Sequence, residues 1–196
     1  MRLSLFIVLF SLLCSCQQTQ GYKVESRSQE VPALFISVTD SNFSIRQDTL
    51  FYEDKKFSGN LYGLSPGRDT VLLESYLNGL KEGICKRWYE NKQLQEERFY
   101  IAGVKEGLHV GWWENGKPQY QFGISKDAYE GTFKAWNHEG LLIKDFHYRN
   151  GQEEGRQVLW YDDGKIKANY IITNGRRFGL LGTKNCVNVS DSLFKK

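Results

Sequence analysis

The sequence predicts an all-β protein, an elongated and twisted single-layer antiparallel sheet of stacked β-hairpin repeats. Three observations carry that prediction. Gly83, Gly107, Gly131 and Gly155 stand 24 residues apart, as do Trp88, Trp112, Trp136 and Trp160. One unit therefore recurs without a slip, which marks a repeat array rather than an enzyme core. Pairs of the Asn-Gly type punctuate the same stretch about twice per unit, at Asn78-Gly79, Ala102-Gly103, Asn115-Gly116, Glu139-Gly140, Asn150-Gly151, Asp163-Gly164 and Asn174-Gly175. Lying between short apolar runs, they signal tight hairpins. Five Trp, eleven Tyr, twelve Phe and nineteen Gly against one Met and three Pro complete the picture of a hairpin-rich β protein.

In chain order, residues 1–16 read as a lipoprotein export signal. Arg2 is the charged start, and Leu3 to Leu13 form an apolar run too short to span a bilayer. Leu13-Cys14-Ser15-Cys16 closes it in a pattern similar to a bacterial lipobox, which makes Cys16 the expected lipidated first residue of the mature chain. Gln17 is not the Asp that, in lipoprotein families, holds the product at the inner membrane, so an outer-membrane address in the cell envelope is expected. Residues 17–32 are polar and read as a flexible tether.

Residues 33–51 lead in with two alternating runs, Leu34 to Val38 and Phe43 to Ile45, both expected as edge strands. The repeats then occupy residues 52–179, and residues 180–196 form a capping strand and a tail. Terminal copies of an array are atypical because they cap the stack. In the first copy Tyr52 and Gly59 keep the phase, Leu64 stands where Trp recurs, and Ser65-Pro66-Gly67 is expected to distort the turn. A later copy has Ile124 for Tyr and Asp127 for Gly, and the last keeps Ile172 and Gly179 but has Lys184 for Trp.

The unit is clearest at Tyr76 to Gly83 and at Tyr148 to Gly155. A two-residue turn closed at Asn91-Lys92 pairs Glu90 with Gln93 and Tyr89 with Leu94, then Arg87 with Glu96 and Lys86 with Glu97. Opposite charges then face each other across the ladder, which supports that register. The register also sets Gly83 opposite Tyr100, Gly107 opposite Ile124, Gly131 opposite Tyr148 and Gly155 opposite Ile172. A large side chain can then lie over a residue that has none. One face carries Tyr89, Leu94, Trp113, Tyr120, Phe122, Phe133, Leu142, Phe146, Leu159, Ile166 and Tyr170. The other carries the Trp88, Trp112, Trp136, Trp160 column among charged residues.

This pattern, Tyr-x-Asn-Gly-x-x-Glu-Gly followed by Trp-Tyr-x-Asn-Gly-x-Leu, resembles the variant MORN repeat of bacterial proteins often labelled antitoxins of the YwqK family. The resemblance implies a sheet of stacked hairpins that binds other molecules, with Tyr76, Tyr100, Tyr148 and the four spaced glycines as structural positions. It does not imply which molecules are bound.

Catalytic chemistry is not expected. His109, His138 and His147 fall one on each face and one in a turn, so no nucleophile-base set can be built from them. Cys85 and Cys186 lack the paired spacing of a zinc site, and no glycine loop suits a phosphate, so neither metal nor cofactor is expected. The Glu82, Glu106, Glu130, Glu154 column places the same carboxylate in every repeat and distinguishes no acid-base pair, which makes it a structural element. Cys85 and Cys186, about eight strands of about 4.8 Å apart in an extended array, are too distant for a disulfide. A net charge of +3 with interspersed signs excludes the basic stripe that nucleic acid demands. The expected function is a lipid-anchored, non-enzymatic platform for a protein partner, antitoxin- or immunity-like. The alternative is a carbohydrate or cell-wall binding module gripping glycan with the Trp88, Trp112, Trp136, Trp160 ladder.

Overall fold

The computed structural model describes residues 29–182. Cys16, most of the tether, Lys184 and Cys186 lie outside the described residues. No helix occurs among those described. The first strands are β1 (Phe35–Ser37), β2 (Phe43–Arg46), β3 (Thr49–Tyr52), β4 (Lys55–Lys56), β5 (Gly59–Leu64) and β6 (Thr70–Leu77). They are followed by β7 (Leu80–Lys81), β8 (Gly83–Trp88), β9 (Leu94–Ile101), β10 (Val104–Lys105), β11 (Gly107–Trp112) and β12 (Pro118–Ser125). The array ends with β13 (Ala128–Trp136), β14 (Leu142–Arg149), β15 (Gln152–Glu153), β16 (Gly155–Trp160), β17 (Ile166–Thr173) and β18 (Arg176–Leu180).

The long strands join into one open, elongated sheet in the order β1-β5-β6-β8-β9-β11-β12-β13-β14-β16-β17-β18, with β7, β10 and β15 as short appendages. All its pairings are antiparallel except β1 with β5. The expected pairs Gly83 to Tyr100, Gly107 to Ile124, Gly131 to Tyr148 and Gly155 to Ile172 all form. So do Lys86 to Glu97, at 3.0 Å between charges, and Arg87 to Glu96, at 3.5 Å.

The two turns of each unit differ, although their dipeptides look alike. Asn78-Gly79, Ala102-Gly103, Asn150-Gly151 and Asn174-Gly175 have both residues at positive φ, the geometry of a two-residue hairpin turn. At the other end the loop is one residue longer than expected. Tyr89 donates its N–H to the Gln93 carbonyl and accepts from Lys92, whose φ is +70°. Trp113, Asn137 and Tyr161 close the same loop with Gly116, Gly140 and Gly164 at positive φ. Ser65 closes it too, with Arg68 in that position, so Ser65-Pro66-Gly67 does not distort the turn.

Each of these longer loops is followed by a bulge, where the register shifts between Arg87 and Trp88, Gly111 and Trp112, Ala135 and Trp136, and Leu159 and Trp160. One extra loop residue and one extra strand residue cancel, which is why the charge pairs below were placed correctly. Above the bulge the parity is reversed. Leu94, Leu142 and Ile166 therefore pair with Trp88, Trp136 and Trp160 and share their face, instead of lying with the phenylalanines. Tyr89 does not pair with Leu94. It belongs to the loop, as does Trp113.

The spaced glycines are explained by backbone rather than by an aromatic lid. Gly83, Gly131 and Gly155 have φ between +74° and +77°, and a Cβ added there would meet nothing within 4 Å. Positive φ alone selects Gly at these positions.

The N-terminal lead-in also departs from expectation. β1 runs parallel to β5, pairing Ile36 with Leu61, and holds the ladder position that a preceding repeat would occupy. β2 is no edge of the main sheet. It joins β3 and β4 in a separate small sheet, and Phe51, not Tyr52, takes the place next to the turn that Tyr76 holds later, because one residue is inserted before Gly59. That small sheet folds over the first hairpin, burying Leu50, Phe57 and Leu61 against Ile36, Phe43, Tyr52 and Tyr76. A second cluster of Ala168, Tyr170 and Ile172 with Leu159 lies near the other end.

Candidate functional site

Successive repeats are laced together along both edges of the strip. At the edge of the two-residue turns, the Glu82 carboxylate accepts the Ala102 N–H at 2.7 Å, Glu106 that of Lys126 at 2.8 Å and Glu130 that of Asn150 at 2.8 Å. Ser58 fills the same slot in the first unit and accepts from Asn78 at 2.8 Å. The glutamate column thus caps the turn of the following repeat, and the bonds between carboxylate and amide give it a structural task. Glu154 instead meets Arg149 at 3.2 Å. At the opposite edge, Tyr89 donates to the Trp112 carbonyl and the Trp113 indole to that of Trp136, while Asn91 and Asn115 donate to Glu114 and His138.

Between the edges the two faces differ. The column of Trp88, Trp112, Trp136 and Trp160 is half-buried beside cross-strand pairs such as Lys134 with Asp145, 3.9 Å apart. Among the described residues no ring contact joins these tryptophans to one another. Their strands alternate with intervening ones, which sets neighbouring rings about 10 Å apart, too far to stack.

The other face brings together rings that the sequence placed only in part. A chain of contacts runs from Tyr100 through His109, Phe122, Tyr129, Phe133, Tyr148 and Phe146 to Tyr170, with centroids 5.0 to 6.4 Å apart. Of these, Tyr100, His109, Tyr129 and Tyr148 were not foreseen as members, although Tyr100 and Tyr148 were placed opposite their glycines. Tyr129 lies just after the Lys126-Asp127 turn, and its side of the ladder follows only once the register of β13 is known. Tyr100, Tyr148 and the equivalent Tyr76 all lie on this face, opposite their glycines, Tyr76 facing Gly59.

One row of this face fills the gaps where adjacent repeats splay. Ladders between repeats hold at only two pairs, as with Lys144 to Leu159 and Asp145 to Val158. Just beyond them, fully buried Gln157 donates to the His147 carbonyl at 2.8 Å and accepts its N–H at 3.0 Å, replacing the missing ladder. His109 holds the same place, its Nε2 3.2 Å from the Phe99 carbonyl and its Nδ1 buried without a partner. Burial pushes the His109 pKa down, helped by Arg98 and Lys105 and opposed by the backbone of Phe99 and of Glu106. Phe133 cannot bond to backbone at this place. Accordingly β12 and β13 stay closed for one more pair, Phe122 with Phe133, and Gly123 leaves room for the Glu130 carbonyl.

Toward the N-terminal end the same face is ionic. Glu74, whose side chain is 9% exposed, accepts from Lys81 at 2.8 Å, from the Tyr76 hydroxyl at 2.8 Å and from Arg87 at 3.4 Å. Burial raises its pKa, but the bonds and charges of Lys81, Tyr76 and Arg87 outweigh it and hold the carboxyl below its ordinary value. Glu96 continues the network to Arg98 at 2.7 Å and to the Tyr120 hydroxyl at 3.1 Å. Cys85, free and buried at its edge, has its thiol pKa pushed up by burial and carries no reactive character. Apolar clefts of about 590 and 380 Å³ flank the small N-terminal sheet, sharing Ile45, Leu50 and Tyr76.

His138 stacks on Trp113 in a turn and His147 lies on the Trp face, so the three histidines do not converge. Among the described residues no group of three or more His, Cys, Asp or Glu could hold a metal ion. No protein-family model matches the chain, and neither does any curated protein.

Proposed function

We propose that this chain is a non-enzymatic, lipid-anchored repeat protein whose open sheet is a platform for another protein in the cell envelope, in the manner of an antitoxin or immunity partner. The observation that supports this most is the ring stripe from Tyr100 to Tyr170. Its members Phe122, Phe133, Phe146 and Tyr148 remain only half-buried, because among the described residues the only layer folded over this face is the small sheet at the far end. A single sheet cannot cover both its faces, and a continuous apolar face of this kind marks an interaction surface. The anchor rests on Leu13-Cys14-Ser15-Cys16. The variant MORN resemblance agrees with a binding role.

A photo-reactive phenylalanine analogue placed at Phe146 or at Trp136, in cells making the full chain, tests the reading. A discrete, protease-sensitive adduct is expected from position 146. A protease-resistant adduct from position 136 alone would replace the reading with glycan binding on the Trp face, and adducts from neither would overturn it. Labelling with a palmitate analogue should mark the wild type and not Cys16→Ser.

A further inference from the structure

Within the aromatic stripe Lys144 forms no ion pair with a carboxylate among the described residues. The half-buried Lys144 ammonium lies 3.9 Å above the Phe133 ring and 4.6 Å above that of Phe146. The carboxylates of this face are engaged elsewhere: Glu74 by Lys81 and Arg87, Glu96 by Arg87 and Arg98, and Glu153 by Arg177 at 3.2 Å. Two rings offset part of the cost of holding an ammonium out of water, but they do not neutralise it. Burial lowers the Lys144 pKa, opposed only by the more distant charge of Glu153.

The surroundings are shaped to admit a group from outside. In its ladder row Lys144 stands between Ala135, with Tyr120 beyond it, and Leu159, with Ala168 beyond it, so the row is low beside it on the Ala135 side, while Phe133 and Phe146 rise next to it. A phosphate would call for a second cation, and Arg98 and Arg177 of this face are already paired and stand four and three strands away. A single ammonium between apolar rings matches a single carboxylate between apolar side chains.

Resting on the platform reading, we infer that the stretch around Lys144 receives a protein segment that presents an aspartate or glutamate flanked by apolar or aromatic residues, with Lys144 as its counter-ion. The segment's acid would enter a partly desolvated site, where such a pair discriminates strongly between partners.

Panning a phage-displayed random dodecapeptide library on the full-length protein tests this. Enriched peptides should share an acidic residue flanked by apolar ones. A synthetic copy of one should bind Lys144→Gln at least about ten-fold more weakly, with Lys144→Arg recovering part of the loss. Melting of both variants near the wild-type temperature would show that the loss is not unfolding. Enriched peptides without acids, or equal binding to Lys144→Gln, would overturn the inference. So would Lys144-dependent binding to phosphatidylglycerol vesicles in the absence of any peptide enrichment. The cell crosslinking above asks whether a protein docks at all and the peptides ask what chemistry it presents, so the two can fail separately.

Discussion

The N-terminal end and the middle of one sheet face solve the same problem in opposite ways. Around Tyr76 the face is covered by the small sheet and its charges are cancelled internally by Glu74, Lys81, Arg87, Glu96 and Arg98. From Phe122 to Phe146 the same sheet continues, yet the rings are only half-buried and, among the described residues, no carboxylate pairs with Lys144. Repeat geometry therefore fixes where side chains stand, whereas the side chains chosen decide whether the face is finished or left for another molecule.

The largest expected effect lies at the covered end. Phe57 is 3% exposed and in ring contact with Phe43, Tyr52 and Tyr76. Phe57→Ala should cost about 3 to 5 kcal/mol, read as denaturant midpoint. Phe133→Ala, in the open middle, should cost about half as much, since its ring is already partly wet. Equal losses would mean that the stripe is as much a core as the capped end.

Next comes the ionic network. Glu74→Gln leaves Lys81 and Arg87 without their main counter-charge and should cost about 3 kcal/mol at neutral pH. The folded carboxyl has a depressed pKa, so its contribution is present above the unfolded carboxylate value and is lost as pH falls through the folded one. Acid unfolding of the wild type below about pH 4.5 should accordingly be steeper than that of Glu74→Gln. Parallel acid titrations followed by circular dichroism would break the comparison if the two curves had the same slope.

A subtler contrast is available between His109 and Gln157, which fill equivalent gaps. His109 is held neutral by burial with its pKa lowered, so stability is complete above the unfolded imidazole value and declines as pH falls below it. His109→Gln should bond to Phe99 as Gln157 does to His147, removing both the orphaned Nδ1 and that decline. At pH 8 the change should stay within about 1 kcal/mol, and at pH 5.5 the variant should be the more stable in thermal melts.

The lacing offers a last contrast. Glu106→Ala removes the carboxylate that caps the next turn and should cost about 1 to 1.5 kcal/mol in chemical denaturation, whereas Glu154→Ala loses only an exposed pair and should cost less than about 0.5 kcal/mol.

Much of this was legible in the residues. A period of 24 with a glycine and a tryptophan in each unit led to the sheet, its four glycine pairings and the charge pairs at Arg87 and Lys86. The bulges were not legible, because Asn78-Gly79 and Asn115-Gly116 are the same dipeptide in two different turns, and only the bonds around them tell the loops apart. That single ambiguity misplaced Leu94, Leu142 and Ile166. The cap was hidden for another reason: the insertion before Gly59 left Tyr52 in apparent phase while moving Phe51 into its place. Of the candidate binding residues, spacing found the Trp column but not its separation into isolated rings. Spacing also found half of the stripe, Phe122, Phe133, Phe146 and Tyr170, while missing Lys144, whose significance lies in a missing partner.

The extra pair between Phe122 and Phe133 has a mechanical consequence. Where Gln157 and His109 fill the openings, neighbouring hairpins are joined by a short seam and can hinge about it, while at Phe133 the seam is longer. Loaded from its two ends, such a ribbon is expected to bend first at the shorter seams, leaving the surface around Phe133 and Lys144 the last to change its curvature.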